Sequence, residues 1–179
     1  MGYILGAIDN GQYMLRGDAS HPACSTCGMV SDRRWTDPSF SLARSELDAS
    51  YTYDGYLIVS DRFRVVVGLE GARYDDLPSS PGHYSLTADK ELAFDAARRR
   101  TRFDRLCSEC GRYFDVNGAT PVFLVPGTTV PDIISRTDIS FGTGDEQHPL
   151  ILLGPALAAR LRAAALSGVE LQAIAGPQT

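Results

Sequence analysis

Two five-residue stretches, Cys24-Ser25-Thr26-Cys27-Gly28 and Cys107-Ser108-Glu109-Cys110-Gly111, hold all four cysteines of this 179-residue chain. A Cys-x-x-Cys turn aims two thiolates at one point in space. Two such turns supply the four sulfurs of a tetrahedral zinc ion at about 2.3 Å each. The glycine after each second cysteine lets the chain bend away through positive φ, with backbone N–H groups turned toward the sulfurs. A site with four thiolates is coordinatively closed and leaves no position for an activated water, so a zinc ion at Cys24, Cys27, Cys107 and Cys110 would be structural. Three rival chemistries fit less well. Structural disulfides suit an exported chain, and residues 1–10 lack the basic start and long apolar run of a secretory signal. A thioredoxin-like redox site needs one Cys-x-x-Cys and leaves the second unexplained. Buried unliganded thiols need no glycine-terminated pairs. His21, three residues before Cys24, is a further candidate ligand, but four sulfurs are already at hand.

The two turns are separated by 79 residues, far more than a compact finger holds. The metal would pin the beginning of the chain to its middle, and the residues between must form much of the fold. The reading is a single domain, 1–179, with a zinc-binding submodule from about 12–36 and 101–116. Short apolar runs at Tyr3–Ile8 and Gln12–Arg16 flank Asp9-Asn10-Gly11 and predict a hairpin. Tyr51, Tyr53 and Tyr56 alternate as on a half-buried strand.

Two α/β units stand out, at about 56–77 and 150–173. In the first, Leu57-Ile58-Val59 predicts a strand, Ser60 a helix N-cap, Phe63, Val66 and Val67 an apolar face, and Gly71 the stop. In the second, Leu150–Leu153 predicts a strand, Gly154-Pro155 a helix start, Leu157, Leu161 and Ala164 a face, and Gly168 the stop. Helices of barely three turns cannot bury a face alone, so both units are expected on a shared sheet. Strands are also expected at Tyr84–Leu86, Arg112–Val116 and Val122–Val125. Gly127–Gln147, rich in Gly, Thr, Asp and Pro, reads as loop with one short strand near Ile139–Phe141, first as an ordinary surface loop and second as a mobile or partner-contacting segment. The expected fold class is α+β, with mixed or antiparallel sheets, the two strand–helix–strand units and a zinc-ribbon-like four-cysteine site.

With 44% hydrophobic and 22% charged residues, the composition is that of a globular chain, and no apolar stretch reaches the roughly 18–20 residues a bilayer requires. The expected location is cytoplasmic. A net charge of −5 disfavours nucleic-acid binding as the main role. The cluster Arg98, Arg99, Arg100, Arg102 and Arg105 is the exception, read first as a solvated element interleaved with Asp95 and Asp104 and second as a basic patch. No phosphate-binding loop, zinc-protease helix, nucleophile elbow or calcium loop is present in the sequence, and His21, His83 and His148 are scattered.

At its two Cys-x-x-Cys-Gly turns, at Leu57–Phe63 and at Leu150–Leu171, the chain resembles the double-CXXCG motif family of myxobacteria and other bacteria. The resemblance implies an immunity protein that binds and neutralises a cognate protein toxin delivered between neighbouring cells, without catalysis. It carries over the four cysteines and no toxin-binding residue. The alternative is a zinc-ribbon nucleic-acid-binding or regulatory module using Arg98–Arg105. Oligomeric state is not readable from the sequence.

Overall fold

A computed structural model describes residues 2–16 and 20–174. The chain runs β1 (Tyr3–Asp9), β2 (Ala49–Tyr51), β3 (Leu57–Ser60), α1 (Asp61–Val67), β4 (Ala72–Asp76), β5 (His83–Ala88) and β6 (Lys90–Leu92). It continues through α2 (Ala96–Arg99), β7 (Arg102–Leu106), β8 (Tyr113–Asn117), β9 (Ile134–Thr143), β10 (His148–Leu153), α3 (Pro155–Ala164) and β11 (Val169–Ala173). The architecture is mixed α+β and dominated by one sheet of order β4-β5-β3-β2-β1-β10-β9-β8-β7, with β11 beside β1 and β6 beside β9.

Only Asp89 separates β5 from β6, yet β5 pairs with β3 while β6 pairs with β9, toward the other end of the sheet. The pairing therefore returns on itself as a ring of β5/β6, β3, β2, β1, β10 and β9. Leu5, Leu57, Val59, Leu86, Ile134 and Leu153 fill its interior, joined by Phe63 and Val67 of α1 and by Leu157 and Leu161 of α3. Each such side chain contributes about 1.5–3 kcal/mol when fully buried. Strand alternation sends Ile58 to the opposite face, where it meets Met14, Phe40, Leu42, Tyr56 and Leu77. Ile4 and Leu150 likewise turn outward, toward Phe94, Val116, Val122 and Phe141.

Strands β3 and β4 flank β5, and β10 and β11 flank β1, each antiparallel to the strand between them. In both places a short helix links two parallel strands across an inserted antiparallel one. Ser60 Oγ accepts the Phe63 N–H and caps α1, which ends at Gly68 (φ +84), three residues before the expected Gly71. At α3 the cap comes from a distant residue. The Ala156 N–H donates to the Asp132 carboxylate at 2.7 Å, and a Cβ on Gly154 would meet that oxygen at 2.3 Å. The helix ends at Ala165 in the left-handed region (φ +47), before the expected Gly168.

Four sequence expectations are corrected. Gln12–Arg16 forms no hairpin strand, because its N–H donors are taken by carboxylate and amide side chains. Asp9 and Asn10 accept from Gly11 and Gln12, and Asp54 accepts from Met14 and Leu15 at 3.0 and 2.8 Å. The three tyrosines share no strand: Tyr51 ends β2, Tyr53 sits exposed in the following turn, and Tyr56 is buried beside β3. The short strand expected near Ile139–Phe141 in the stretch 127–147 is part of the ten-residue β9, which begins five residues earlier, whereas Val122–Val125 carries only an isolated bridge from Leu124 to Phe94. The polar residues of β9 misled because their hydroxyls are satisfied internally. Ser135 donates to Leu152 O and Thr137 to Ile139 O, while Thr137 Oγ1 also accepts from the Leu150 N–H.

Candidate metal centre

The four cysteine Sγ atoms lie within 4.8 Å of one another. Cys24 and Cys107 are 3.8 Å apart and Cys27 and Cys110 3.7 Å apart. A tetrahedron with arms of 2.3 Å has edges of about 3.8 Å, whereas a disulfide would bring sulfurs to about 2.05 Å. The four cysteines form no disulfide. Cys24, Cys27, Cys107 and Cys110 together form a possible metal site, with spacing consistent with a structural metal.

Both turns are built the same way. The Gly28 N–H donates to Cys24 O at 2.9 Å and the Gly111 N–H to Cys107 O at 3.0 Å. Cys24 N–H reaches Met29 O, and Cys107 N–H reaches Arg112 O, each at 2.9 Å. Gly28 (φ +74) and Gly111 (φ +69) both occupy the left-handed region that the bend demands. Each turn is closed by strand pairing, Ala23 with Val30 in the first and Leu106 with Tyr113 in the second.

Contacts between the turns supplement the sulfurs. Ser25 and Thr26 of the first donate hydroxyl hydrogen bonds to the Glu109 carboxylate of the second. The Thr26 and Ser25 bonds hold the Glu109 carboxyl below its ordinary range. Arg112 donates to Val30 O at 2.7 Å and Met29 O at 3.1 Å. Its backbone N–H and guanidinium pull the Cys110 thiol down to about 6. At Cys27 the Met29 N–H lowers the value, but burial and the other three sulfurs push the thiol up to about 12.

His21 lies apart from the cluster, its ring 5.9 Å from that of Trp35. The five arginines are spread over α2, its end and β7. Arg98 lies over the Phe123 ring, Arg100 forms the left-handed cap of α2, and Arg105 pairs with Asp115 and covers Phe114. Glu109 and Arg112 were not singled out from the sequence. A signal for Glu109 was there, since the variable pairs Ser-Thr and Ser-Glu offer donors against an acceptor. None marked Arg112, whose counterpart after Gly28 is Met29.

Searches for a matching family model, for a similar curated protein and for a similar solved structure all find none. Among the described residues no helix is long and apolar enough to cross a membrane.

Proposed function

We propose that the four cysteines hold one structural zinc ion in a zinc-ribbon-like pair of turns. On this reading the chain is a cytoplasmic, non-catalytic immunity protein that binds and neutralises a cognate bacterial toxin. The observation that carries the reading is the closed donor set: four sulfurs within 4.8 Å of one another, with no fifth His, Cys, Asp or Glu in the group among the described residues. Such a site stabilises a scaffold and leaves no position for an activated water. The toxin-binding role rests on the resemblance at Cys24–Gly28 and Cys107–Gly111 and on the acidic net charge, which would steer the chain onto a basic partner. Co-expression with a toxin encoded beside it tests the role. Rescue of growth and co-elution on size exclusion are expected. No rescue and no complex would overturn it, and salt-sensitive retention on DNA or RNA would favour a nucleic-acid module instead. Elemental analysis tests the metal separately, with zinc expected and iron or no metal counting against it.

A further inference from the structure

Among the described residues β4, β6, β7 and β11 each pair with a single neighbouring strand. An open edge presents unpaired N–H and C=O groups that template a further strand, and charges, distortions and shortness normally blunt it. Three of the four edges are blunted in this way. Strand β4 carries Arg73, Asp75 and Asp76, and β6 is three residues long with Lys90 and Glu91. Strand β7 carries Arg102, Asp104 and Arg105, the last in the left-handed region (φ +58). Strand β11, Val-Glu-Leu-Gln-Ala, has one charge, Glu170, no proline, and an unbroken register with β1 over all five residues. It is the one edge of the four left undefended.

The hydrogen bonds at the two ends of the β1–β11 ladder fix which groups face outward. The Ile8 N–H donates to Gly168 O at 3.0 Å, and the Ile174 N–H donates to Gly2 O at 2.9 Å. Bonded positions alternate along an antiparallel pair, so Glu170 and Gln172 turn their main-chain groups toward β1. Val169, Leu171 and Ala173 turn theirs to the open edge. The side chains of Val169 and Leu171 pack against the interior core and, with Leu161, Ala165 and Leu166, line a groove of about 230 Å³ between α3 and β11. Glu170 and Gln172 are exposed on the opposite face.

We propose that β11 is a self-association edge, at which two copies of the chain pair their β11 strands antiparallel about a two-fold axis through Leu171. In this register Val169 meets the partner's Ala173, Leu171 meets the partner's Leu171, and Ala173 meets the partner's Val169. Each is a doubly bonded pair, so every outward N–H and C=O of the strand is satisfied. Residues directly opposite share a face, which puts the partner's Leu171 on the α3 side, next to the groove. On the other face Glu170 lies opposite the partner's Gln172, whose side-chain amide donates to the carboxylate. Sliding two residues either way loses one of the three bonded pairs, and one of those slides sets Glu170 against the partner's Glu170, like charge to like charge. Strand composition thus selects both the occupant and the register. The two-fold axis closes the assembly at two copies, and the small contact makes it concentration-dependent. The edge stands independently of the toxin-binding and zinc readings.

Sedimentation equilibrium of the full chain over about 1–500 μM, with amide hydrogen exchange at both ends of that range, tests the proposal. A monomer–dimer equilibrium is expected. The Val169, Leu171 and Ala173 amides should slow by about tenfold or more on association, whereas those of Glu170 and Gln172, bonded to β1, should be slow throughout. Ala173→Pro removes an outward N–H that the single chain does not use and should raise the dimer Kd by about tenfold or more. Gln172 is exposed, so two further variants leave the fold intact. Gln172→Lys sets an opposite charge against Glu170 and should tighten the dimer by about threefold or more, while Gln172→Glu sets a like charge there and should weaken it similarly. A monomer over the whole range, a dimer that leaves the three outward amides exchanging as before, or one indifferent to the sign of the charge at position 172 would overturn the proposal.

Discussion

The Asp48 carboxylate accepts from Ser60 Oγ at 2.7 Å, Arg62 Nη1 at 2.8 Å and the Ser167 N–H at 2.9 Å, and so ties the cap of α1 to the turn after α3. Burial raises its value, but the bonds from Ser60 and Ser167 and the Arg62 charge outweigh this and hold the carboxyl below its ordinary range. A carboxyl depressed on folding stabilises the protein above its unfolded value, near 3.9, and that stability is lost as pH falls through the lower folded value. Asp48→Asn should therefore cost about 2–4 kcal/mol near neutral pH, with a deficit that shrinks toward pH 3 in urea titrations. At Cys107 the expected effect is larger. Structural zinc in finger peptides contributes about 10–16 kcal/mol, as much as the entire stability of many domains. Cys107→Ser should unfold or aggregate the chain and abolish stoichiometric zinc, read by soluble yield and elemental analysis; an unchanged Tm would refute the metal's structural role.

At the scale of elements, the glycines separate local conformation from long-range packing. Gly11 (φ +81) has open space around a built Cβ, whereas at Gly168 (φ +80) the Cβ would lie 2.2 Å from Ala49 O. Gly11→Ala should cost only the left-handed strain, about 1–2 kcal/mol. Gly168→Ala must also push β2 away from the turn that leads into β11, so its loss in chemical denaturation should exceed that of Gly11→Ala by roughly 2 kcal/mol or more. The same distinction governs which elements were legible in the sequence. Ser60 as a cap and Gly154-Pro155 as a helix start are encoded within a few residues, and both helices begin where expected. The first half of β9 was hidden because Ser135 and Thr137 find hydrogen-bond partners on β10, while the strand expected near Ile139–Phe141 lies within its second half. The hairpin at Asp9–Gly11 was suggested by local turn chemistry and cancelled by Asp54, some 40 residues away.

Across the whole molecule, the four-cysteine cluster brings residues 24–27 to residues 107–110, and hydrogen bonds continue from Arg112 to Val30, from Val30 to Asp145 and from Arg33 to Asp145. With the proposed zinc bound, a strong chelator should lower Tm by more than about 10 °C, given about 2–4 °C per kcal/mol for a chain of this size. Hydrogen exchange should accelerate first at the Gly28 and Gly111 amides, which are bonded only within the turns. Faster exchange confined to α1 or α3 would contradict that order. The two cysteine turns follow from the amino-acid order alone, because a Cys-x-x-Cys-Gly turn closes its own hydrogen bonds within six residues. Their meeting is also foreshadowed there, since four sulfurs in two matched pairs have one obvious common partner. The ring of strands, the burial of β9 and the placement of Arg33 against the Asp54 and Asp145 carbonyls are not legible in that order. Each depends on which distant group satisfies a donor, an acceptor or a charge, and only the folded chain brings those groups within bonding distance.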